Sequence, residues 1–136
     1  MAGRAPVWGR QVDTEGGGAR GGAVGNARIV NDGAPMWLLG LKSEGDNTLI
    51  ASSGGAVTDV LGVLFASLRG ATLPLFTSVD SRLQATGAEV AFKPDANYKA
   101  ILVETSIKGA RTLSADVLPR RAKTTGVLIP RITTQP

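Results

Sequence analysis

The sequence predicts an all-β protein: a short right-handed parallel β-helix of about three to four coils, closed by a C-terminal β-hairpin cap. Three observations predict it. A layout of apolar pair, Gly/Asn/Asp/Ser turn and longer apolar run recurs three times, with Gly40, Gly62 and Gly87 spaced 22 and 25 residues apart. A period in the low twenties with strand-sized units marks stacked coils. Glycine is abundant, 18 of 136 residues, while aromatics are only 4%, which favours many turns over a bulky globular core. Val, Ile, Leu and Thr dominate the runs between turns, as strands require. A β-sandwich or jelly roll is the alternative, since short strands with Gly-rich turns suit either.

The chain divides into an N-terminal strand and Gly-rich arm (1–26), solenoid coils (27–97) and a hairpin cap with tail (98–136). Val7 to Val12 alternates Val, Gly, Gln with Trp, Arg, Val and reads as a strand with one face available for burial. Glu15 to Gly25 is glycine-dense and reads as a loop. It lacks the G-x-x-x-x-G-K-[ST] pattern of a phosphate loop.

In the first repeat, Ile29-Val30 leads through the turn Asn31-Asp32-Gly33 to Met36–Leu41. That apolar run suggests a strand covered on both faces, which makes Trp37 a core residue. In the second, Leu49-Ile50 and Ser52–Gly55 precede Val57–Phe65. Val60 to Leu68 has the length and apolarity of a helix, but Gly62 and the β-branched flanks favour strand. In the third, Leu75-Phe76 and Val79-Asp80-Ser81 precede Leu83–Phe92. The turn residues supply the positive-φ positions that tight turns need.

From Tyr98 the pattern changes. Lys99 to Ile107 reads as one strand, Lys108-Gly109-Ala110 as a turn, and Arg111-Thr112-Leu113 as the returning strand of a hairpin. Ala115 to Arg121 is a connector. Thr125 to Ile132 is a last strand, which Pro130 places at a sheet edge. Thr133 to Pro136 is expected to fray.

Composition narrows the chemistry. The length suits one domain. The sequence holds no cysteine and no histidine. That excludes disulfides, a Ser-His-Asp triad, a Cys-His nucleophile and ordinary zinc sites. The net charge of +4 permits anionic partners, acidic polysaccharide among them, without requiring them. Arg120-Arg121 and Lys123 are too sparse a cluster to predict nucleic-acid binding. No apolar run reaches the length of a membrane span, and Met1 to Pro6 lacks the apolar stretch of a secretory signal. These features leave the location open: inside a cell, released by another route such as lysis, or in a virion or outside the cell for an assembly component or a fragment.

Around Asn31-Asp32-Gly33, Trp37 and Gly40–Gly45 the chain resembles the late coils of bacterial right-handed parallel β-helix proteins of the pectate-lyase superfamily. There an Asn-Asp-Gly turn precedes a tryptophan-bearing strand that ends in a Gly-Leu-Lys-Thr-Glu-like corner; Ser43 stands here in the threonine place. Gly54–Gly62 resembles the next coil, and Tyr98 with Val103-Glu104 the hairpin after it. The resemblance spans Val7 to Pro119 and implies the C-terminal portion of a longer polysaccharide lyase or glycoside hydrolase. It also implies a base, often Arg or Lys, and acidic groups that hold calcium over an anionic sugar. Arg69, Arg82, Lys93 and Lys99 are the residues of suitable type, and surface positions are the expectation for all four.

No catalytic residue, metal site or cofactor is predicted. Glu44, Asp46, Asp59, Asp80 and Glu89 are the carboxylates available for paired acid/base work. Glu44 and Asp46 sit in a turn where carboxylates are usually solvated. Asp13 and Glu15 could offer oxygen ligands to calcium, but without EF-hand spacing. Trp8 beside Arg10 is the exposed aromatic best suited to contact carbohydrate. Two functions follow. One is a non-catalytic assembly module that stacks on like subunits or a larger partner through an open N-terminal end, for example as a phage or virus particle component. The other is a C-terminal piece or sugar-binding remnant of a polysaccharide-degrading β-helix enzyme.

Overall fold

A computed structural model describes residues 4–15, 27–120 and 126–134. The chain is a parallel β-solenoid of about three turns. Its strands are β1 (Val7–Asp13), β2 (Ile29–Asp32), β3 (Pro35–Glu44), β4 (Ile50–Ser53), β5 (Val57–Ser67), β6 (Phe76–Val79), β7 (Arg82–Ala91), β8 (Ala100–Ser106), β9 (Gly109–Ser114) and β10 (Val127–Thr133). Among the described residues they form two sheets of five. Sheet A has the order β1-β3-β5-β7-β10 and sheet B the order β2-β4-β6-β8-β9. The chain therefore lays one long strand on sheet A, one short strand on sheet B, and steps up a rung.

Pairing is parallel from β1 through β7 and from β2 through β8. The last strand of each sheet reverses: β9 folds back on β8 and β10 runs antiparallel to β7. The β8–β9 hairpin turns on Ile107 and Lys108, with Ser106 opposite Gly109. Pro130 lies where β10 shifts register, between Ile129 and Ile132, on the outer edge of sheet A. A ring nitrogen without N–H is tolerated there and not in a central strand.

The repeat spacing has a structural cause. Gln11, Gly40 and Gly62 stand at one level of neighbouring rungs, and all three have positive φ: 52°, 78° and 82°. Each inserts one left-handed residue into its strand and inverts the in–out alternation. In β3 the buried residues are Met36 and Leu38 before the inversion and Leu41 and Ser43 after it; in β5 they are Thr58 and Val60, then Val63 and Phe65, with Ala66 and Ser67 both buried at the strand's end. Both arms of a strand thus face the core across a corner. In β7 the inserted residue is missing, so β5 and β7 shift register between Leu61 and Val63.

This inversion corrects the reading of Met36–Leu41 as covered on both faces. Only one face is covered: Leu39 is 52% exposed, and Trp37 lies half-buried on the outward side. Trp37 is not a core residue. The run looks continuous because two apolar residues flank each inverted position. The core is formed by Leu38, Leu41, Leu49, Ile50, Val60, Phe65, Leu75, Phe76, Leu83, Ile101, Leu102 and Ile129, with Phe65 packed edge-on against Tyr98 at 5.3 Å.

The expected fraying fails at Thr133 and Thr134. Thr134 is buried; its N–H donates to the Leu83 carbonyl at 3.0 Å, and its Oγ1 accepts from Leu83 N–H and donates to the Ser81 carbonyl. Most of the glycine-dense segment, and Arg121 and Lys123, lie outside the described residues.

Candidate functional site

Two places concentrate functional chemistry: the N-terminal edge of sheet A, and a buried carboxyl near the cap. At the edge, Trp8 and Arg10 project outward from β1, two residues apart on one face. Trp8 is 71% exposed. It is in register with Trp37 on β3, and the two rings stack at 5.3 Å with an interplanar angle of 15°. That separation is close to the spacing between neighbouring strands. One face of Trp8 therefore lies on Trp37, and the other looks away from the sheet past its edge. Arg10 makes no hydrogen bond or ion pair among the described residues. The outward column continues from Arg10 to Leu39 and Leu61 on the next rungs, the two leucines about half exposed.

Beside this column the inverted residues form a shallow groove of about 310 Å³ lined by Gln11, Asp13, Gly40, Lys42, Gly62 and Leu64. Asp13 accepts the Glu15 N–H at 2.9 Å, and Glu15 pairs with Lys42. Neither carboxylate shares a ligand set: among the described residues, no three His, Cys, Asp or Glu side chains are grouped to hold a metal ion.

Nothing among the described residues pairs with the outer edges of β1 and β2. Val7 and Val30 on these strands are 48% and 60% exposed. The opposite end is covered by β9 and β10.

The buried carboxyl is Glu89, on the inward side of β7 and fully shielded from solvent. Ser67 Oγ donates to Oε1 at 2.5 Å and Asn97 Nδ2 to Oε2 at 2.5 Å. Burial pushes this carboxyl above its ordinary range; the bonds from Ser67, Asn97 and the Tyr98 backbone draw it part of the way back. Next to it Tyr98 donates its hydroxyl to the Asn47 carbonyl. Burial, reinforced by the charges of Asp46 and Glu89, raises the phenol and keeps it neutral. Glu89 is thus closed off from solvent and held by its hydrogen bonds to Ser67 and Asn97.

The other carboxylates are dispersed. Asp46 accepts the N–H groups of Leu68 and Arg69 at 3.0 Å each, holding the loop after β5. Glu44 lies 4.0 Å from Lys42. Both are half-buried, not the freely solvated turn carboxylates expected. Asp59 receives two bonds from Arg82 at 2.9 and 3.1 Å. Asp80 holds a turn with φ of 43°. Arg69, Arg82, Lys93 and Lys99 are exposed, and of their side chains only Arg82 is seen to meet one of these carboxylates, in its pair with Asp59. Among the described residues, no helix is long and apolar enough to cross a membrane.

Sequence reasoning misses two features of these sites. It places Trp37 in the core because periodicity alone does not reveal the inverted position; the positive-φ glycine within an apolar run is the available signal. Glu89 gives no such signal, since its burial depends on Asn97 folding over it. No protein-family model, curated protein or solved structure matches this chain.

Proposed function

We propose that this protein is a non-catalytic assembly module whose N-terminal edge docks on a like subunit or a larger partner. The observation that carries this reading is the contrast between the two ends. Antiparallel strands and a proline close one end, while β1 and β2 present strand edges unpaired among the described residues, with Val7 and Val30 at the surface. Open strand edges are templates for pairing with another chain. A component of a virus or phage particle would use such a block in this way.

Light scattering across a concentration series tests the reading. Wild-type protein is expected to show a mass above that of one chain. Val7→Lys and Val30→Lys, which place charge on the edge without touching the far end, are expected to lower the mass while the circular dichroism spectrum is retained. Wild-type mass equal to one chain throughout would falsify it.

A second reading, carbohydrate binding, is supported by Trp8 and Arg10 projecting together on one exposed face. The superfamily resemblance points the same way, toward acidic polysaccharide. Loss of polygalacturonate binding in Trp8→Ala would support it.

A further inference from the structure

The edge of β1 carries more information than its exposure. Head-to-tail stacking would lay β1 of one copy on β10 of the next and generate an open filament. The outer edge of β10 opposes this. Pro130 offers no N–H, the strand bulges between Ile129 and Ile132, and Arg131 beside Pro130 donates to Gln84 Oε1 at 2.8 Å. Prolines and bulges are the devices that block edge pairing.

β1 holds no proline; its one irregular position is the left-handed Gln11, and its outward charges are complementary to themselves. Arg10 is a cation without a partner among the described residues, and Asp13 is an exposed anion with Oδ1 engaged only by its own turn. An antiparallel pairing of two β1 strands, with the two-fold axis between Gln11 and Val12, sets Arg10 of each copy opposite Asp13 of the other. Opposite charges directly across a strand pair stabilise it, and like charges destabilise it.

We propose that β1 is the seam of a two-fold symmetric dimer, formed by antiparallel β1–β1 pairing that makes sheet A continuous across two copies and joins Arg10 to Asp13 reciprocally. The assembly is closed by its own symmetry. Arg10 is thereby a partner-selecting residue. This rests on the assembly reading above and narrows its partner to a second copy in one orientation.

The test uses the full chain, sedimentation and an engineered thiol. The wild type is expected to reach the mass of two copies and no more as concentration rises. Arg10→Asp and Asp13→Arg alone each set like charges opposite one another and weaken the dimer about tenfold or more. The double variant, with the charges exchanged, restores it. Because the sequence has no cysteine, Gln11→Cys supplies a single thiol next to the axis, and oxidation is expected to link two copies covalently.

Three results would overturn the proposal, and they differ. A mass of one copy at every concentration removes the assembly reading with it. A mass that keeps growing leaves assembly standing and replaces the dyad with head-to-tail stacking. A dimer that is indifferent to both charge reversals, and that oxidation of the Gln11→Cys variant fails to link, pairs through another surface.

Discussion

Single residues in this solenoid are constrained in two different ways, which the glycines separate. At Gly87 an added Cβ would sit 2.2 Å from the Val63 carbonyl oxygen, inside backbone that cannot retreat. At Gly62 no atom lies within 4 Å, and only the φ of 82° resists a side chain. Gly62→Ala is therefore expected to cost about 1–2 kcal/mol, the penalty of the left-handed region. Gly87→Ala should cost more than about 4 kcal/mol or abolish folding, as backbone overlap does. Urea denaturation of the two variants checks the order. Glu89 sets a pH dependence of the opposite sense to that of most carboxylates. Its folded value lies above its ordinary 4.5, so the folded chain holds a proton that the unfolded chain releases. The stability it contributes is complete below 4.5 and falls as pH rises through the folded value, by at most about 1.4 kcal/mol per pH unit. Glu89→Gln should flatten the decline of the denaturation midpoint above pH 4.5; an unchanged pH profile would count against this account.

At the scale of elements, each rung is held by inward polar columns as well as by apolar packing. Asn31 Nδ2 donates to Thr58 Oγ1 at 2.8 Å and to the Ala34 carbonyl at 3.0 Å, while Ser52 and Thr58 hydroxyls meet at 2.9 Å. These bonds close the turn from β2 into β3 and tie it to the next rung. β10 is fixed differently, by Val127, Ile129 and Ile132 in the interior and by the Thr134 hydroxyl on Leu83 and Ser81. Thr134→Val keeps the shape, removes both bonds and leaves the Leu83 N–H buried. A loss of about 1–3 kcal/mol is expected, with hydrogen exchange accelerated first in β10. Strands β2 through β8 are legible in the sequence because their signals are local: turn residues at fixed offsets, and apolar runs between them. The anchoring of Thr134 is not, because its partners lie 51 and 53 positions earlier and are reached only once β10 has reversed across β7. Likewise Val7–Val12 reads as a strand with one face available for burial, but the sequence holds no sign that Trp8 stacks on Trp37, which requires the two rungs to be in register.

The whole molecule is graded from end to end. The interior strands β3, β5 and β7 are hydrogen-bonded on both sides, β10 closes one end, and β1 and β2 remain one-sided among the described residues. Solenoid stability is a sum of unit and neighbour terms, so the ends differ in what they can accept.

The left-handed corner decides how this molecule can change in length. Rungs β3 and β5 share it and align without a register shift, so the unit from Pro35 to Ala56 is compatible with a copy of itself. The rung at β7, which lacks it, joins β5 only through a register shift. A duplicate of residues 35–56 inserted after Ala56 should therefore fold and lengthen the solenoid by about 4.8 Å, one strand spacing, measurable by small-angle scattering. Length is thus adjustable in the middle of the molecule by whole rungs, while the reversed strands β9 and β10 set where the stack stops.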